Sequence, residues 1–236
     1  MTLSVIVPTY NERDSLPELM VRLHRVARTL SLEVVVVDDA SPDGTGALAE
    51  EYAREGWLSV AVVHRERKAG LASAALDGAR AARGEMVTVM DADLSHPPEL
   101  LPDLAAQLQG GADIVIASRY VPGGGIEAWP LGRRIVSRVA TALARRVLRL
   151  PVRDPLSGFF AVRRRLLTER RYLGLGYKLL VEMLATNPGV RIAEIPYRFV
   201  DRARGESKLS PREMVDYLRL LLALRRKGHR WNSARS

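Results

Sequence analysis

The feature that most constrains this chain is a regular alternation of short apolar runs with segments of helical periodicity. Five runs rich in Val, Ile and Leu occur in the first half of the chain, and each has the length of a buried strand. Strands that alternate with helices in this way form a parallel sheet with helices on both faces. The sequence therefore predicts an α/β fold with strands at residues 3–8, 33–39, 58–63, 86–90 and 113–118.

Polar residues follow four of the five predicted strands. They are Tyr10 and Glu12, Asp38 and Asp39, Asp91 and Asp93, and Ser118 and Arg119. Parallel strands end at a common edge of their sheet, and open α/β sheets bind ligands at that edge. We expect these side chains to converge on one site, with Asp38 serving as a strand-end cap or turn residue.

Asp91 and Asp93 are the most informative of these residues, because carboxylates one residue apart repel each other unless a cation lies between them. Hard divalent cations take oxygen ligands, and Mg²⁺ commonly combines one or two carboxylates with the phosphates of a substrate. The pair therefore predicts a site for a divalent metal and a diphosphate. A solvated Asp-x-Asp turn would have the same sequence.

Composition excludes several kinds of site and leaves the partner open. The 236 residues include no cysteine, which rules out disulfides, thiolate catalysis and Cys-based zinc sites. No apolar run approaches the ~20 residues of a membrane span, and the N-terminal segment has the pattern of a strand rather than of a signal peptide. Residues 1–118 contain 10 Lys/Arg and 18 Asp/Glu, whereas residues 119–236 contain 26 and 9. The basic second half favours nucleic acid, anionic lipid or a phosphate-bearing substrate as partner.

A predicted helix at residues 131–150 contains no acidic residue. Five apolar residues share one of its faces and four arginines form a separate stripe: Val136, Val139, Leu143, Val147 and Leu150, and Arg134, Arg138, Arg145 and Arg149. This pattern is typical of a helix that lies at a membrane interface, and equally of a helix that packs on a core with a solvated basic face. A C-terminal amphipathic helix with a basic tail is predicted for residues 211–236.

The sequence lacks the G-x-G-x-x-G, P-loop and G-x-S-x-G motifs of common nucleotide-binding proteins and hydrolases. Five other motifs occur in order, and together they resemble those of family 2 glycosyltransferases. Within that family the chain is most similar to the dolichyl-phosphate, or polyprenyl-phosphate, mannosyltransferases, over residues 3–209. The motifs are Pro8-Thr9-Tyr10-Asn11-Glu12, Asp38-Asp39-x-Ser41-Pro42-Asp43-Gly44-Thr45, Asp91-Ala92-Asp93-Leu94-Ser95-His96-Pro97, Ser118-Arg119-Tyr120 and Arg202-x-x-Gly205-x-Ser207-Lys208-Leu209.

The resemblance implies a GT-A fold, with a mostly parallel Rossmann-like sheet, for a glycosyltransferase domain at residues 1–210. It implies transfer of mannose from GDP-mannose to a polyprenyl phosphate, with Mg²⁺ or Mn²⁺ as cofactor and inversion at the anomeric carbon. It also implies peripheral association with the cytoplasmic face of a membrane and no nucleic-acid partner. The alternatives are UDP-glucose or another sugar nucleotide, a soluble hydroxyl acceptor that needs a carboxylate base, and a basic nucleic-acid-binding module.

Roles for the donor site follow from the resemblance, residue by residue. The residues expected to hold the nucleoside are Pro8, Tyr10, Glu12, Val37 and Asp39. Those expected to hold the diphosphate and its metal are Asp91, Ala92 and Asp93. Three cationic residues are expected to bind phosphates: Arg119, Arg202 and Lys208. Catalysis by stabilising the charge of the leaving diphosphate is expected of Asp91, Asp93, Arg119 and Lys208.

The acceptor site requires no general base, since a phosphate monoester is already largely anionic near neutral pH. Arg133 and Ser137 are four residues apart on the predicted 131–150 helix, so their side chains are neighbours. We predict that they hold the acceptor phosphate together with Arg119, with the lipid along the apolar face of the helix. The plainer alternative is that Arg133 caps a surface helix and Ser137 is solvated.

Overall fold

The computed structural model describes residues 1–127, 129–173, 178–200 and 211–233 of this chain. In the last of these segments the side chains of residues 211–213, 216 and 227–233 are not described. Arg202, Lys208 and the predicted loop between them lie outside the described residues, so the roles assigned to them stay predictions.

A seven-stranded sheet forms the centre of the fold, and a two-stranded ribbon lies beside it. The strands are β1 (Leu3–Thr9), β2 (Leu32–Asp38), β3 (Val60–His64), β4 (Met86–Val89), β5 (Ile114–Ser118), β6 (Gly125–Ile126), β7 (Phe160–Arg163), β8 (Ile192–Pro196) and β9 (Arg198–Phe199). The order in the large sheet is β3-β2-β1-β4-β7-β5-β8, and β6 pairs with β9. All pairings are parallel except those of β7, which runs antiparallel to both β4 and β5.

Helices cover both faces of the sheet, as the alternating pattern predicts. They are α1 (Leu16–Ala27), α2 (Thr45–Glu55), α3 (Leu71–Ala81), α4 (Leu101–Gln109), α5 (Leu131–Leu148), α6 (Arg165–Thr168), α7 (Leu179–Thr186) and α8 (Pro211–Ser233). Successive strand residues point to opposite faces, so Val5 and Val7 pack under α1 and α4 whereas Ile6 packs under α3. The sheet is therefore buried on both sides, which explains why its strands are continuously apolar.

The direction of β7 was not predicted, and it shapes the edge at which the parallel strands end. Because β7 runs opposite to its neighbours, its first residue, Phe160, lies near the ends of β4 and β5, opposite Val89 and Ile116. The turn that leads into β7, residues 154–159, therefore joins the loops that follow β1, β2, β4 and β5.

The helix predicted as an interfacial element, α5, packs along part of its length against α8. Leu143 and Val147 contact a small cluster that includes Tyr217 and Leu221 of α8, and the Tyr217 hydroxyl donates to the carbonyl of Ala140 at 2.7 Å. The five predicted apolar residues therefore lie in different surroundings. Leu150 is buried against the core of the α3 side, and Val139 remains exposed.

Candidate active site

Three adjacent strands bring most of the predicted site residues to one edge of the sheet. β1 lies between β2 and β4, and Thr9 pairs with Asp38 at their carboxyl ends. The strand order changes direction between β1 and β4. Strands β2 and β3 lie on one side of β1, and β4 lies on its other side. Such a switch point opens a crevice between loops that leave in opposite directions. Tyr10 and Asp91 follow the two strands that flank this crevice.

The turn after β4 carries the predicted metal ligands. The Asp93 carboxylate accepts a hydrogen bond from the backbone N–H of Ser95 at 3.0 Å, and Leu94 between them has a φ of +66°. The backbone N–H of Asp91 donates to Nδ1 of His96 at 2.9 Å. Ala92 is buried, while the side chain of Asp91 keeps a quarter of its surface exposed. The turn thus fixes the backbone of Asp91 and the carboxylate of Asp93, and it leaves the Asp91 carboxylate accessible.

The donor set of this turn suits a metal that shares its coordination with a substrate. Among the described residues, no three His, Cys, Asp or Glu side chains cluster closely enough to enclose a metal ion. Two carboxylates completed by phosphate oxygens and water are an ordinary Mg²⁺ environment. The Ser95 hydroxyl is buried without a hydrogen-bond partner in the described part of the chain, which adds an unsatisfied oxygen beside Asp93. Asp91 and Asp93 fit a divalent cation on these grounds.

The loop after β1 supplies an aromatic surface at the other side of the crevice. Tyr10 is 37% exposed, and Nζ of Lys68 lies 3.5 Å from the centre of its ring. Glu12 is held in place locally, because its carboxylate accepts the Ser15 hydroxyl at 2.8 Å and its backbone N–H donates to Thr45 Oγ1 at 3.0 Å. Tyr10 is positioned to stack on a planar base, at the position where the Lys68 ammonium now lies.

Asp39 is engaged by the chain itself. Its Oδ1 accepts from Nη1 of Arg65 at 2.7 Å, and its Oδ2 accepts from the backbone N–H groups of Ala69 and Gly70 at 3.1 and 3.0 Å. These bonds hold residues 65–70, the loop that carries Lys68. Contact between Asp39 and a nucleoside would require this loop to move, so the predicted contact stays a prediction.

Pro8 and Val37 occupy the strands rather than the crevice. Val37 is completely buried, and its side chain packs against α3 close to Gly78. Pro8 is half-buried opposite Val37 in the β1–β2 register. A nucleoside could reach Val37 only through its main chain, which is compatible with the predicted role but does not test it.

Arg119, at the end of β5, forms a buried ion pair that the sequence analysis did not anticipate. Its Nε and Nη2 donate to the two oxygens of Asp154 at 2.8 Å each, and its backbone N–H donates to the same carboxylate at 2.9 Å. Asp154 is fully buried. Burial by itself lowers the pKa of a guanidinium, but the hydrogen bonds and charge of Asp154 outweigh it and raise the pKa of Arg119. Arg119 is therefore a fixed cation, and any phosphate it binds must approach beside Asp154.

The residues predicted to hold the acceptor phosphate lie near the start of α5. The Arg133 guanidinium stacks over the ring of Trp129 at 3.9 Å, and the Ser137 hydroxyl is 2.8 Å from that of Tyr120. Arg119 also lies within 5.9 Å of the Trp129 ring. Trp129 and Tyr120 thus link Arg133 and Ser137 to Arg119, which brings the three predicted residues to one region. The structure does not test phosphate binding there.

The family model for glycosyl transferase family 2 matches residues 4–171, which is more than half of the chain. The chain belongs to glycosyl transferase family 2. The family predicted from the five motifs is thereby confirmed.

Members of family 2 with curated names resemble the chain over most of its length. A dolichol-phosphate mannosyltransferase of Pyrococcus furiosus is 42% identical over 95% of this chain and 64% of its own length. A polyprenol monophosphomannose synthase of Mycolicibacterium smegmatis is 42% identical over 87% of this chain and 80% of its own length. A dolichol-phosphate mannosyltransferase of Saccharomyces cerevisiae is 37% identical over 94% and 86%. The chain therefore spans less than two thirds of the P. furiosus protein.

Solved glycosyltransferase structures confirm the predicted GT-A-like fold. A mannosyltransferase of Pyrobaculum calidifontis in complex with GDP-Man and Mn²⁺ matches with a TM-score of 0.63 and 26% identity, over 87% of this chain and 58% of that one. A glucosyl-3-phosphoglycerate synthase of Mycobacterium tuberculosis with Mn²⁺, UDP and phosphoglyceric acid matches with a TM-score of 0.68 and 26% identity, over 94% and 76%.

Several contacts of this candidate site were not predicted from the sequence. Asp154 and Trp129 approach Arg119, Lys68 approaches Tyr10, and Tyr120 approaches Ser137. The Asp154-Pro155-Leu156-Ser157-Gly158 turn would have pointed to the site if the antiparallel direction of β7 had been foreseen. The other three contacts depend on loop conformation and have no signal in residue spacing.

Proposed function

We propose that this chain transfers mannose from GDP-mannose to a polyprenyl monophosphate and produces a β-linked lipid phosphomannose. The observation that carries the proposal is the pair Asp91 and Asp93 at the switch point, with the Tyr10 ring across the crevice. A binding site for a sugar nucleotide can combine two features at one edge of a sheet: a metal site that binds the diphosphate and a surface that binds the base. The choice of mannose and of a lipid acceptor is supported by the names of the relatives.

Asp91 and Asp93 would hold a divalent cation, Mg²⁺ or Mn²⁺, which when bound supplies positive charge against the leaving diphosphate. Mn²⁺ accompanies a sugar nucleotide or nucleotide in the similar structures from Pyrobaculum and Mycobacterium. Arg119, whose charge is paired with that of Asp154, is expected to bind phosphate together with Arg202 and Lys208. The work of the protein is then to position the reactants and to stabilise developing charge.

The acceptor is proposed to be a phosphate monoester because the residues near α5 suit an anion that is already charged. Arg133 and Ser137 offer a guanidinium and a hydroxyl beside Arg119, and a monoester needs no proton removed before it attacks. A single displacement by the phosphate oxygen breaks the bond between the anomeric carbon and the diphosphate and inverts the configuration. GDP leaves with the bonding electron pair.

Peripheral association with the cytoplasmic face of a membrane is proposed from α5 and α8. On α5, Leu131, Ile135 and Val139 follow a spacing of four residues and are 73%, 53% and 61% exposed. Met214, Val215, Leu218 and Leu222 are exposed on α8. Exposed arginines such as Arg138 and Arg145 flank them, which suits anionic lipid headgroups. None of the helices in the described segments is both long and apolar enough to cross a bilayer.

A donor and acceptor screen tests the proposal. The chain is incubated with GDP-mannose, UDP-glucose or UDP-GlcNAc, each with a short polyprenyl phosphate and with the matching polyprenol, and lipid-linked sugar is measured. Mannose transferred from GDP-mannose to the phosphate alone is the expected result. Transfer of glucose would show that the donor is UDP-glucose and not GDP-mannose. Transfer to the free polyprenol would show that the acceptor is an alcohol and not a phosphate. Salt-sensitive binding of RNA or DNA with no binding of sugar nucleotides would favour the nucleic-acid alternative.

A further inference from the structure

His96 is a buried histidine within hydrogen-bonding distance of a predicted metal ligand. It is five residues after Asp91, at the end of the same turn, and only 1% of its surface is exposed. Its Nδ1 accepts the backbone N–H of Asp91 at 2.9 Å, and its Nε2 lies 4.0 Å from Oδ2 of Asp91. The established contact of the ring with Asp91 is therefore the hydrogen bond at Nδ1.

The bond at Nδ1 determines the tautomer of the neutral ring. An imidazole nitrogen that accepts a backbone N–H carries no proton, so the proton of the neutral ring is on Nε2. Oδ2 of Asp91 lies 4.0 Å from Nε2, which is beyond hydrogen-bonding distance. The ring therefore acts on Asp91 through Nδ1, which holds the peptide group next to the point from which the carboxylate projects.

Aromatic side chains fix the plane of the His96 ring. Phe159 stacks on it with ring centres 4.9 Å apart and an angle of 13° between the planes. Tyr197 and Phe199 meet it edge-on at 6.2 and 6.4 Å. The turn before β7 can approach because residue 158 is glycine, where a Cβ would lie 3.3 Å from the imidazole and 4.0 Å from Oδ2 of Asp91. The ring therefore has little freedom to rotate.

We propose that His96 is a positioning residue that sets the orientation of Asp91 for the metal. It holds the Asp91 backbone through Nδ1 and so fixes the point from which the carboxylate projects, a role that hydrogen-bonded partners of metal ligands have in other proteins. Nδ1 of His96 already accepts the Asp91 N–H, so the proposed role is to position the ligand and not to be one. The inference depends on the proposed metal at Asp91 and Asp93.

Three substitutions separate the two nitrogens from the packing of the ring. His96→Phe keeps the stack on Phe159 and loses both polar atoms. His96→Asn keeps an acceptor near the Nδ1 position, and His96→Gln keeps an N–H donor near the Nε2 position. His24→Phe is the matched control, because His24 also contacts an aromatic ring, that of Trp57, but lies toward the opposite edge of the sheet.

The decisive measurement is the dissociation constant of Mn²⁺ in the presence of GDP, obtained from the electron paramagnetic resonance signal of free Mn²⁺. His96→Phe should raise this constant by about 10- to 100-fold, the usual effect of losing a partner of a metal ligand, and Asn and Gln should fall between Phe and the parent. GDP affinity in EDTA and the melting temperature should stay near those of His24→Phe.

The outcomes separate failure of this inference from failure of the proposed function. A parent protein that binds no Mn²⁺ in the presence of GDP would remove the metal site, and the role of His96 with it. A parent that binds Mn²⁺ with variants within threefold of it would overturn the positioning role alone. Parallel loss of GDP affinity in EDTA would show that His96 serves only the packing. If His96→Phe does not fold, the Asn and Gln variants decide.

Discussion

Two pairs of acids lie at the carboxyl ends of β2 and β4, the strands on either side of β1, and the structure uses them differently. Asp38 ends β2 and Asp39 follows it; both are almost fully buried and accept bonds from Arg65 and from the backbone of Ser41, Ala69 and Gly70. Asp91 and Asp93 follow β4 and keep part of their surface; His96 holds the backbone of Asp91, and the Ser95 N–H holds the carboxylate of Asp93. The first pair organises a loop, and the second presents carboxylates to the crevice.

The comparison shows that a strand ending in acids is not by itself a ligand site. The difference comes from the part of the chain that follows each pair. The strand after β2 is β3, and the loop after β3 carries Arg65, a cation that neutralises Asp39. The turn after β4 instead supplies backbone N–H groups and a ring nitrogen. Substitution at each pair should therefore affect different properties of the protein.

The largest effect is expected from Asp93→Asn. If this carboxylate shares a cation with the diphosphate, its loss should lower the rate of sugar transfer by roughly 10³-fold or more, since metal stabilisation of a leaving group is worth several kcal/mol. The melting temperature should hold or rise slightly, because a repulsive charge is removed. EDTA should inactivate the parent, and Mg²⁺ or Mn²⁺ should restore it. Full activity in EDTA would contradict the metal assignment.

Asp39→Asn should act mainly on stability. The change leaves the largely buried Arg65 without its closest carboxylate, which should cost roughly 2–3 kcal/mol and lower the melting temperature by about 4–12 °C. The Mn²⁺ affinity in the presence of saturating GDP should change little, since Asp39 is not part of the Asp91–Asp93 turn. Thermal unfolding monitored by circular dichroism gives the melting temperature. An unchanged melting temperature would show that the Asp39–Arg65 network does not stabilise the loop.

Arg133→Ala should distinguish the acceptor region from the donor region. Loss of a charged hydrogen bond to phosphate is worth about 1.5–3 kcal/mol, so the KM for polyprenyl phosphate should rise by roughly tenfold or more. The affinity for GDP should not change. Arg138→Ala, on an exposed position of the same helix, is the control for net charge. Weaker binding of GDP with an unchanged KM for polyprenyl phosphate would show that Arg133 serves the donor site and not the acceptor site.

The smallest effect is expected from Lys68→Met. The ammonium of Lys68 lies over Tyr10, so a base that stacks there must displace it, at a cost of roughly 0.5–1 kcal/mol. Guanosine, which carries no phosphate, should therefore bind about two- to fivefold more tightly to the variant. Arg67→Met removes the same charge from an exposed neighbour and should not change guanosine affinity. Weaker binding to Lys68→Met would mean that the lysine contacts the base directly.

The sequence could predict what depends on local pattern. The five parallel strands of the first half, the helices between them and the convergence of Tyr10 and Asp91 on one edge follow from periodicity and from the geometry of parallel sheets. Pairings between distant segments could not be predicted in this way. Arg119 and Asp154 are 35 residues apart, and only the insertion of β7 between β4 and β5 brings them together.

The exposed half of α5 illustrates the same limit. Its amphipathic pattern predicted one apolar face, but α8 covers Leu143 and Val147 and leaves Ile135 and Val139 in solvent. A single helix wheel contains no information about which neighbour arrives later in the chain. The predicted boundary at residue 210, between the glycosyltransferase domain and the C-terminal helix, stays a prediction. In the structure, α8 packs on α5.

The place of β7 in the sheet also determines the order in which the strands can pair while the chain is synthesised. The first four strands can pair with one another once residue 89 is available, but the neighbours of β5 are β7 and β8. About 40 residues separate the end of β5 from the start of β7, which corresponds to roughly 2–8 s of translation. During that interval the segment Ile114–Ser118 has two unpaired edges and an apolar surface. Nascent chains that stall after Ile114–Ser118 has left the ribosome and before Phe160–Arg163 has done so should be especially prone to aggregation and should depend on chaperones that shield this one strand.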